Sequence, residues 1–161
     1  MKILLIEDDR LLRRATERAL MGAGYEVASV SDGEEGLRLA GEGGHDLILL
    51  DMMLPKVTGL SVLRALKQDA RTKHIPVVVL SGLSEKNRAK LLQEGAEAYM
   101  EKSEMTFRKD SSLLLRTIAA VLTGADSEFR TEEFTQAVST PAMPPDPKET
   151  DGGPEGKTTL S

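Results

Sequence analysis

A chain of 161 residues has room for one domain with a full hydrophobic core and hardly for two. It has no cysteine, so disulfides and thiolate metal sites are excluded, and a reducing compartment, the cytoplasm, is the expected location. The net charge of −5 sits wholly at one end: residues 1–123 carry 18 acids and 18 bases, residues 124–161 carry 8 and 3, and neither part has the basic footprint of a direct nucleic-acid binder.

The chain opens with MKILLIEDD, where a run of strand length, Lys2–Ile6, meets three acids too soon for a signal peptide or a membrane span. No membrane insertion is expected. Leu12, Ala15, Ala19 and Ala23 then repeat at three- and four-residue steps, which predicts the buried stripe of a helix closed by Gly24. A second strand is predicted at Glu26–Val30, and Asp32 with Glu35 forms a capping-box pattern opening a second helix. The third strand is predicted at Asp46–Leu50, followed by a helix with Leu60, Leu63 and Leu66 on one side. Ile75–Leu80 predicts the fourth strand, Ser84 precedes a helix ending near Gly95, and Ala98–Glu101 predicts the fifth strand. Leu114, Ile118 and Val121 mark a last helix. His45 and His74 read as surface residues, and Met21, Met52 and Met100 as core filling.

Beyond Thr123 the composition changes. Five of the seven prolines fall in STPAMPPDPKETDGGPEGKTTLS and no period persists, so residues 124–161 read as an acidic, Pro/Gly-rich, disordered tail. Its GGPEGKT is not a phosphate loop, because no strand precedes it. SEFRTEEFTQAV, Ser127–Val138, reads as a frayed extension, since Phe129 and Phe134 are five residues apart and make a poor single stripe.

Five apolar runs alternating with five helical segments predict an α/β fold with a doubly wound, five-stranded parallel sheet in a three-layer α/β/α sandwich. The runs KILLI, DLILL and IPVVVL are nearly all aliphatic, as strands covered on both faces must be, whereas EVASV and AYME are more polar and belong at the edges. Right-handed crossovers then give the order 2-1-3-4-5, with its switch point between strands one and three. Ligands bind such sheets beyond the carboxyl ends of the strands, at that point.

Those ends carry chemistry. Strand one runs into Glu7-Asp8-Asp9, strand three into Asp51, strand four into Ser81-Gly82 and strand five into Lys102. Glu7, Asp8 and Asp51 would repel one another across the switch point unless a cation intervened, and a hard divalent ion, Mg²⁺ above all, suits oxygen ligands. Three carboxylates, Mg²⁺ and the Lys102 ammonium sum formally to zero. Taken singly, each residue has a duller role: acids before a helix cap it, and an aspartate before Pro55 shapes a turn. Their joint placement reverses the odds.

The acidic pair Glu7-Asp8, Asp51 in LLDMMLP, Ser81 in LSGL, Tyr99 and Lys102 resemble, in order and spacing, the receiver domain of bacterial two-component response regulators, over roughly residues 1–123. The resemblance implies a flavodoxin-like receiver fold of the single-domain type. It implies that Asp51 accepts a phosphoryl group from a histidine kinase or a histidine phosphotransfer protein. Asp8, Asp51 and the backbone carbonyl of Met53 would bind Mg²⁺, with Glu7 acting directly or through water. Lys102 and Ser81 would bind phosphoryl oxygens, Gly82 would keep the approach open, and Tyr99 would rotate inward on phosphorylation. The signal would pass to a downstream protein through the face made by helix four, strand five and helix five, around Lys86, Arg88, Lys90 and Tyr99; a homodimer is a further arrangement open to such a domain. Apart from phosphotransfer to its own Asp51 and autodephosphorylation, no enzymatic turnover is expected.

The sequence departs from the family at Ser103, since a proline joined by a cis peptide usually follows the strand-five lysine. Met53, two residues after Asp51, is bulky enough to hinder attacking water and lengthen the phosphoryl lifetime. The alternative reading prompted by Ser103 is a receiver-like protein-binding module that works without phosphorylation. A metal-dependent phosphohydrolase is disfavoured, because such enzymes generally need a further acid near the nucleophile and positions 52 and 53 are both methionine.

Overall fold

The computed structural model describes residues 1–82, 87–103 and 111–124. Five strands, β1 (Lys2–Ile6), β2 (Glu26–Val30), β3 (Leu47–Asp51), β4 (Val77–Ser81) and β5 (Ala98–Glu101), form one parallel sheet in the order β2-β1-β3-β4-β5. Helices α1 (Arg10–Gly22), α2 (Gly33–Glu42), α3 (Gly59–Gln68), α4 (Arg88–Gln93) and α5 (Ser112–Thr123) complete the described elements. The doubly wound α/β expectation is met, including both edge strands.

The strands alternate between two cores, as the two-residue side-chain period dictates. Leu4, Ile6, Ile48, Leu50, Val77 and Val79 meet α2, α3 and α4 through Ala40, Val62, Leu63, Leu66 and Leu91. Ile3, Leu5, Leu47, Leu49, Val78 and Leu80 meet α1 and α5 through Leu20, Leu114, Ile118 and Val121. Both faces of the three central strands are therefore dry, which is why their sequences are continuously aliphatic. Among the described residues no helix is long and apolar enough to cross a membrane.

Several local expectations shift. The buried stripe of α1 is Thr16 and Leu20, with Leu12 and Ala19 half-buried and Ala15 and Ala23 exposed; Leu20 packs into the core beside Ile3 and Leu5. Met21 is 63% exposed rather than core. His45 is buried, because Asp46 straps its loop to β1: Lys2 N–H donates to Asp46 Oδ2 (2.7 Å) and Asp46 N–H to the Lys2 carbonyl (2.8 Å). The same pairing makes Asp46 a lead-in, so β3 starts one residue later than predicted. β4 starts later too, since Pro76 has no N–H to give and Ile75 N–H closes a turn on the Thr72 carbonyl. In the capping box of α2, Asp32 accepts from Glu35 N–H (2.9 Å), but the Glu35 carboxylate pairs with Arg38 (2.6 Å). Ser84, Lys86, the 104–110 stretch and the segment 125–161 lie outside the described residues.

Gly59 ties α3 to the end of β3. Its N–H donates to the Met52 carbonyl (3.1 Å), and a Cβ there would stand 2.4 Å from both the Asp51 carbonyl oxygen and Met52 Cα. Those obstacles are backbone and cannot turn aside. Gly59→Ala is expected to cost about 3 kcal/mol, the upper end for overpacking; an unchanged urea midpoint would show that the turn after Asp51 yields freely.

Candidate phosphoacceptor and metal site

Because all five strands are parallel, Glu7, Asp51, Ser81 and Lys102 arrive at one edge of the sheet. The three successive acids after β1 divide their labour. Asp9 caps α1, its Oδ1 accepting from the N–H groups of Leu11 (2.8 Å) and Leu12 (2.9 Å). Glu7 is fully buried, and its Oε1 accepts from Asp9 N–H (3.1 Å) and Lys102 Nζ (3.1 Å). Asp8 is exposed at the mouth. One carboxylate oxygen from each of Glu7, Asp8 and Asp51 falls within 4.8 Å of the others.

Lys102 bridges the two buried acids. Its Nζ lies 3.0 Å from Glu7 Oε2 and 2.8 Å from Asp51 Oδ2, with its own side chain 20% exposed against 0% for both carboxylates. Asp51 Oδ1 is held by Met53 N–H (2.9 Å). Burial pushes the Glu7 carboxyl up to about 7; Lys102 opposes the rise and Asp51 adds to it. Burial likewise raises Asp51, against the pull of Lys102 and the Met53 N–H. For Lys102, burial acts downward, but its bonds to Asp51 and Glu7 prevail and hold the ammonium above its ordinary value.

The donor set fits a hard divalent cation. Glu7 Oε2 and Asp51 Oδ2 are buried and, among the described residues, have the Lys102 ammonium as an ion-pair partner and no further hydrogen bond. Such oxygens with a third carboxylate beside them are the ligands Mg²⁺ prefers. A Glu7 ligand must be ionised, so with Glu7 in the metal site raising the pH from about 6 to about 8 should tighten Mg²⁺ roughly tenfold, with proton release. Calorimetry in buffers of differing ionisation enthalpy reads both quantities; an affinity flat across that range would remove Glu7 from the site.

Of the other predicted residues, Ser81 is buried as the last residue of β4, paired in register with Glu101. Tyr99 is half-buried in β5, opposite Val79, against the core under α4. Met53 exposes its side chain beside Asp51. An added Cβ at Gly82 would meet nothing within 4 Å, so packing does not demand glycine there. The described residues contain no cis peptide, so Lys102–Ser103 is trans, and Lys102 reaches the acids nonetheless. Two residues at this edge went unnoticed in the sequence, Gly59 and Arg13, and each engages backbone atoms.

Residues 3–108 match the family model of the response regulator receiver domain. The gliding motility regulatory protein of Myxococcus xanthus is 40% identical over 107 residues, which are 65% of this chain but 14% of that protein. The polar-differentiation response regulator DivK of Brucella ovis is 37% identical over 101 residues, 62% of this chain and 82% of DivK. Among solved structures, the receiver domain of the Francisella response regulator 1452 superposes with a TM-score of 0.68 at 25% identity, covering 77% of this chain and 98% of that one. The receiver domain of the sensor histidine kinase PA1611 from Pseudomonas aeruginosa, with a magnesium ion coordinated in its active site cleft, gives 0.64 at 30% identity over 76% and 97%.

The chain belongs to the response regulator receiver domain family. Its place is in two-component phosphorelay signalling; receiver domains bind Mg²⁺ at an acidic site and interact with histidine kinases and downstream targets.

Proposed function

We propose that this receiver takes a phosphoryl group on Asp51 and signals through protein contacts, as a cytoplasmic domain spanning residues 1–123. One observation carries the reading: Lys102 bridges two fully buried carboxylates, with a third acid alongside. Phosphoryl chemistry accounts for so costly an arrangement better than a plain binding module does.

A carboxylate oxygen of Asp51 forms a bond to phosphorus as the P–N bond of a phosphohistidine breaks, and the departing imidazole keeps the electron pair and takes up a proton. Asp8, Asp51, the Met53 carbonyl and Glu7, directly or through water, would hold Mg²⁺, which when bound supplies positive charge to phosphoryl oxygens. Met53 N–H orients the acceptor. Lys102 is placed to pair with one phosphoryl oxygen and Ser81, at the adjacent strand end, with another; Gly82 leaves the approach uncluttered. The modified side chain carries roughly −1.5 to −2 charges, a stronger attractor for Lys102 and Ser81 than a carboxylate. Tyr99 follows that movement and alters the face of α4, β5 and α5 presented to a downstream protein.

Intact-mass measurement after incubation with acetyl phosphate tests the reading. A phosphoryl mass gain that needs Mg²⁺ supports it; no gain with Mg²⁺ present returns the chain to a phosphorylation-independent binding module.

A further inference from the structure

Arg13 is the side chain that holds the acidic turn from behind. Its Nη1 donates to the Glu7 carbonyl at 2.9 Å and lies 3.4 Å from the Asp8 carbonyl, while its backbone N–H donates to the Asp9 carbonyl at 2.8 Å. The guanidinium thus engages the main-chain oxygens of Glu7 and Asp8, while the Asp9 bond is the first backbone turn of α1. The nearby acids before and on α1 are otherwise occupied: Asp9 caps the helix, and Glu17 accepts from Ser29 Oγ.

Arg13 also lines an open cavity of about 310 Å³ with Arg14, Ser29, Val30 and Asp32. Empty space on that side means that dense packing does not fix the guanidinium; its hydrogen bonds to the turn do. The converse follows, because the peptide planes of Glu7 and Asp8 decide where their side chains leave the backbone. Glu7 has further restraints, with its N–H bonded to the Val30 carbonyl and its carboxylate bonded to Asp9 N–H and Lys102. Asp8 is exposed and depends most on the turn itself.

We infer that Arg13 is a positioning residue for the metal-binding acids, setting the Glu7–Asp8–Asp9 turn so that the Asp8 carboxylate meets that of Asp51. It touches neither metal nor phosphoryl group and acts through main-chain geometry. The inference rests on the Mg²⁺-binding reading of this pocket.

The test compares the parent, Arg13→Met, Arg13→Lys and Arg14→Met in the full chain. Mg²⁺ affinity is measured by calorimetry, and backbone amide shifts are recorded without metal. Arg13→Met is expected to weaken Mg²⁺ about tenfold, in the range for residues that orient metal ligands. It should also move the metal-free amide signals of Asp8 and Asp9. Arg13→Lys, which keeps one donor, should recover part of the affinity, and Arg14→Met should match the parent. Acetyl phosphate labelling of Arg13→Met should need more Mg²⁺ yet reach the parent rate at saturation. Parent-like Mg²⁺ affinity in Arg13→Met overturns the inference and leaves the site reading intact, as does a loss shared equally by Arg14→Met. Failure of the parent itself to bind Mg²⁺ overturns both. Should Arg13→Met not fold, Arg13→Ala, a strong helix former without a side-chain donor, carries the comparison, and parent-like affinity with unmoved amides in that variant overturns the inference.

Discussion

Asp51→Asn is expected to take up no phosphoryl group from acetyl phosphate and, in the absence of metal, to be more stable than the parent. The first effect follows from chemistry, since an amide oxygen is no substitute for a carboxylate nucleophile. The second follows from burial. Asp51 is wholly shielded from water, and its pKa is raised because desolvation outweighs Lys102 and the Met53 N–H. A carboxyl whose folded pKa exceeds its unfolded one favours folding at low pH and loses that contribution as pH rises through the folded value. Asparagine does not titrate, so the variant's advantage should open as the pH climbs from the unfolded aspartate range, reaching about 1–2 kcal/mol near neutrality. Mg²⁺ should then stabilise the variant less than the parent. Urea titrations at several pH values with and without Mg²⁺, beside a labelling assay, read all of this. Retained labelling would move the acceptor elsewhere, and a variant destabilised at every pH would show that Asp51 is well compensated without metal.

Lys102→Met should produce the opposite shift. It removes the cation between Glu7 and Asp51 and leaves two buried carboxylates facing each other, a change that costs about 3 kcal/mol when both are ionised. The cost should depend on pH through Glu7. Its folded pKa of about 7 lies above the ordinary 4.5, so below that range Glu7 is protonated in the fold and the missing ammonium matters less. The variant's deficit should therefore grow as pH rises through about 7. Mg²⁺ offers replacement charge at the same place and should raise the melting temperature of Lys102→Met more than that of the parent. A deficit constant between acid and alkaline pH, or equal gains from Mg²⁺, would remove Lys102 from the role of counter-ion.

The strand order was legible because burial on both faces leaves a mark in composition: KILLI, LILL and VVVL admit no polar partner, whereas EVASV does. The meeting of Asp51 with Lys102 was legible too, since parallel strands bring their carboxyl ends to one edge. Periodicity failed where several registers suit a pattern equally. On α1 the alanines repeat as neatly as Thr16 and Leu20, and only contact with the sheet selects between them. The family pattern set Glu7 and Asp8 apart from Asp9, but nothing in the sequence told the buried acid from the one at the mouth, because the two are chemically alike until the turn is built. Arg13 and Gly59 were invisible for another reason. Both engage main-chain atoms, which every residue has, so no partner type in the sequence betrays them.

That division of successive acids has a consequence for how this chain can change in length. One residue inserted between Asp8 and Asp9 would displace the helix cap from the pocket and take Arg13 away from its carbonyls. At the opposite rim, Gly43 and Gly44, both with positive φ, join α2 to β3 without touching the site. Insertions and deletions should therefore be tolerated between α2 and β3 and purged between Asp8 and Asp9.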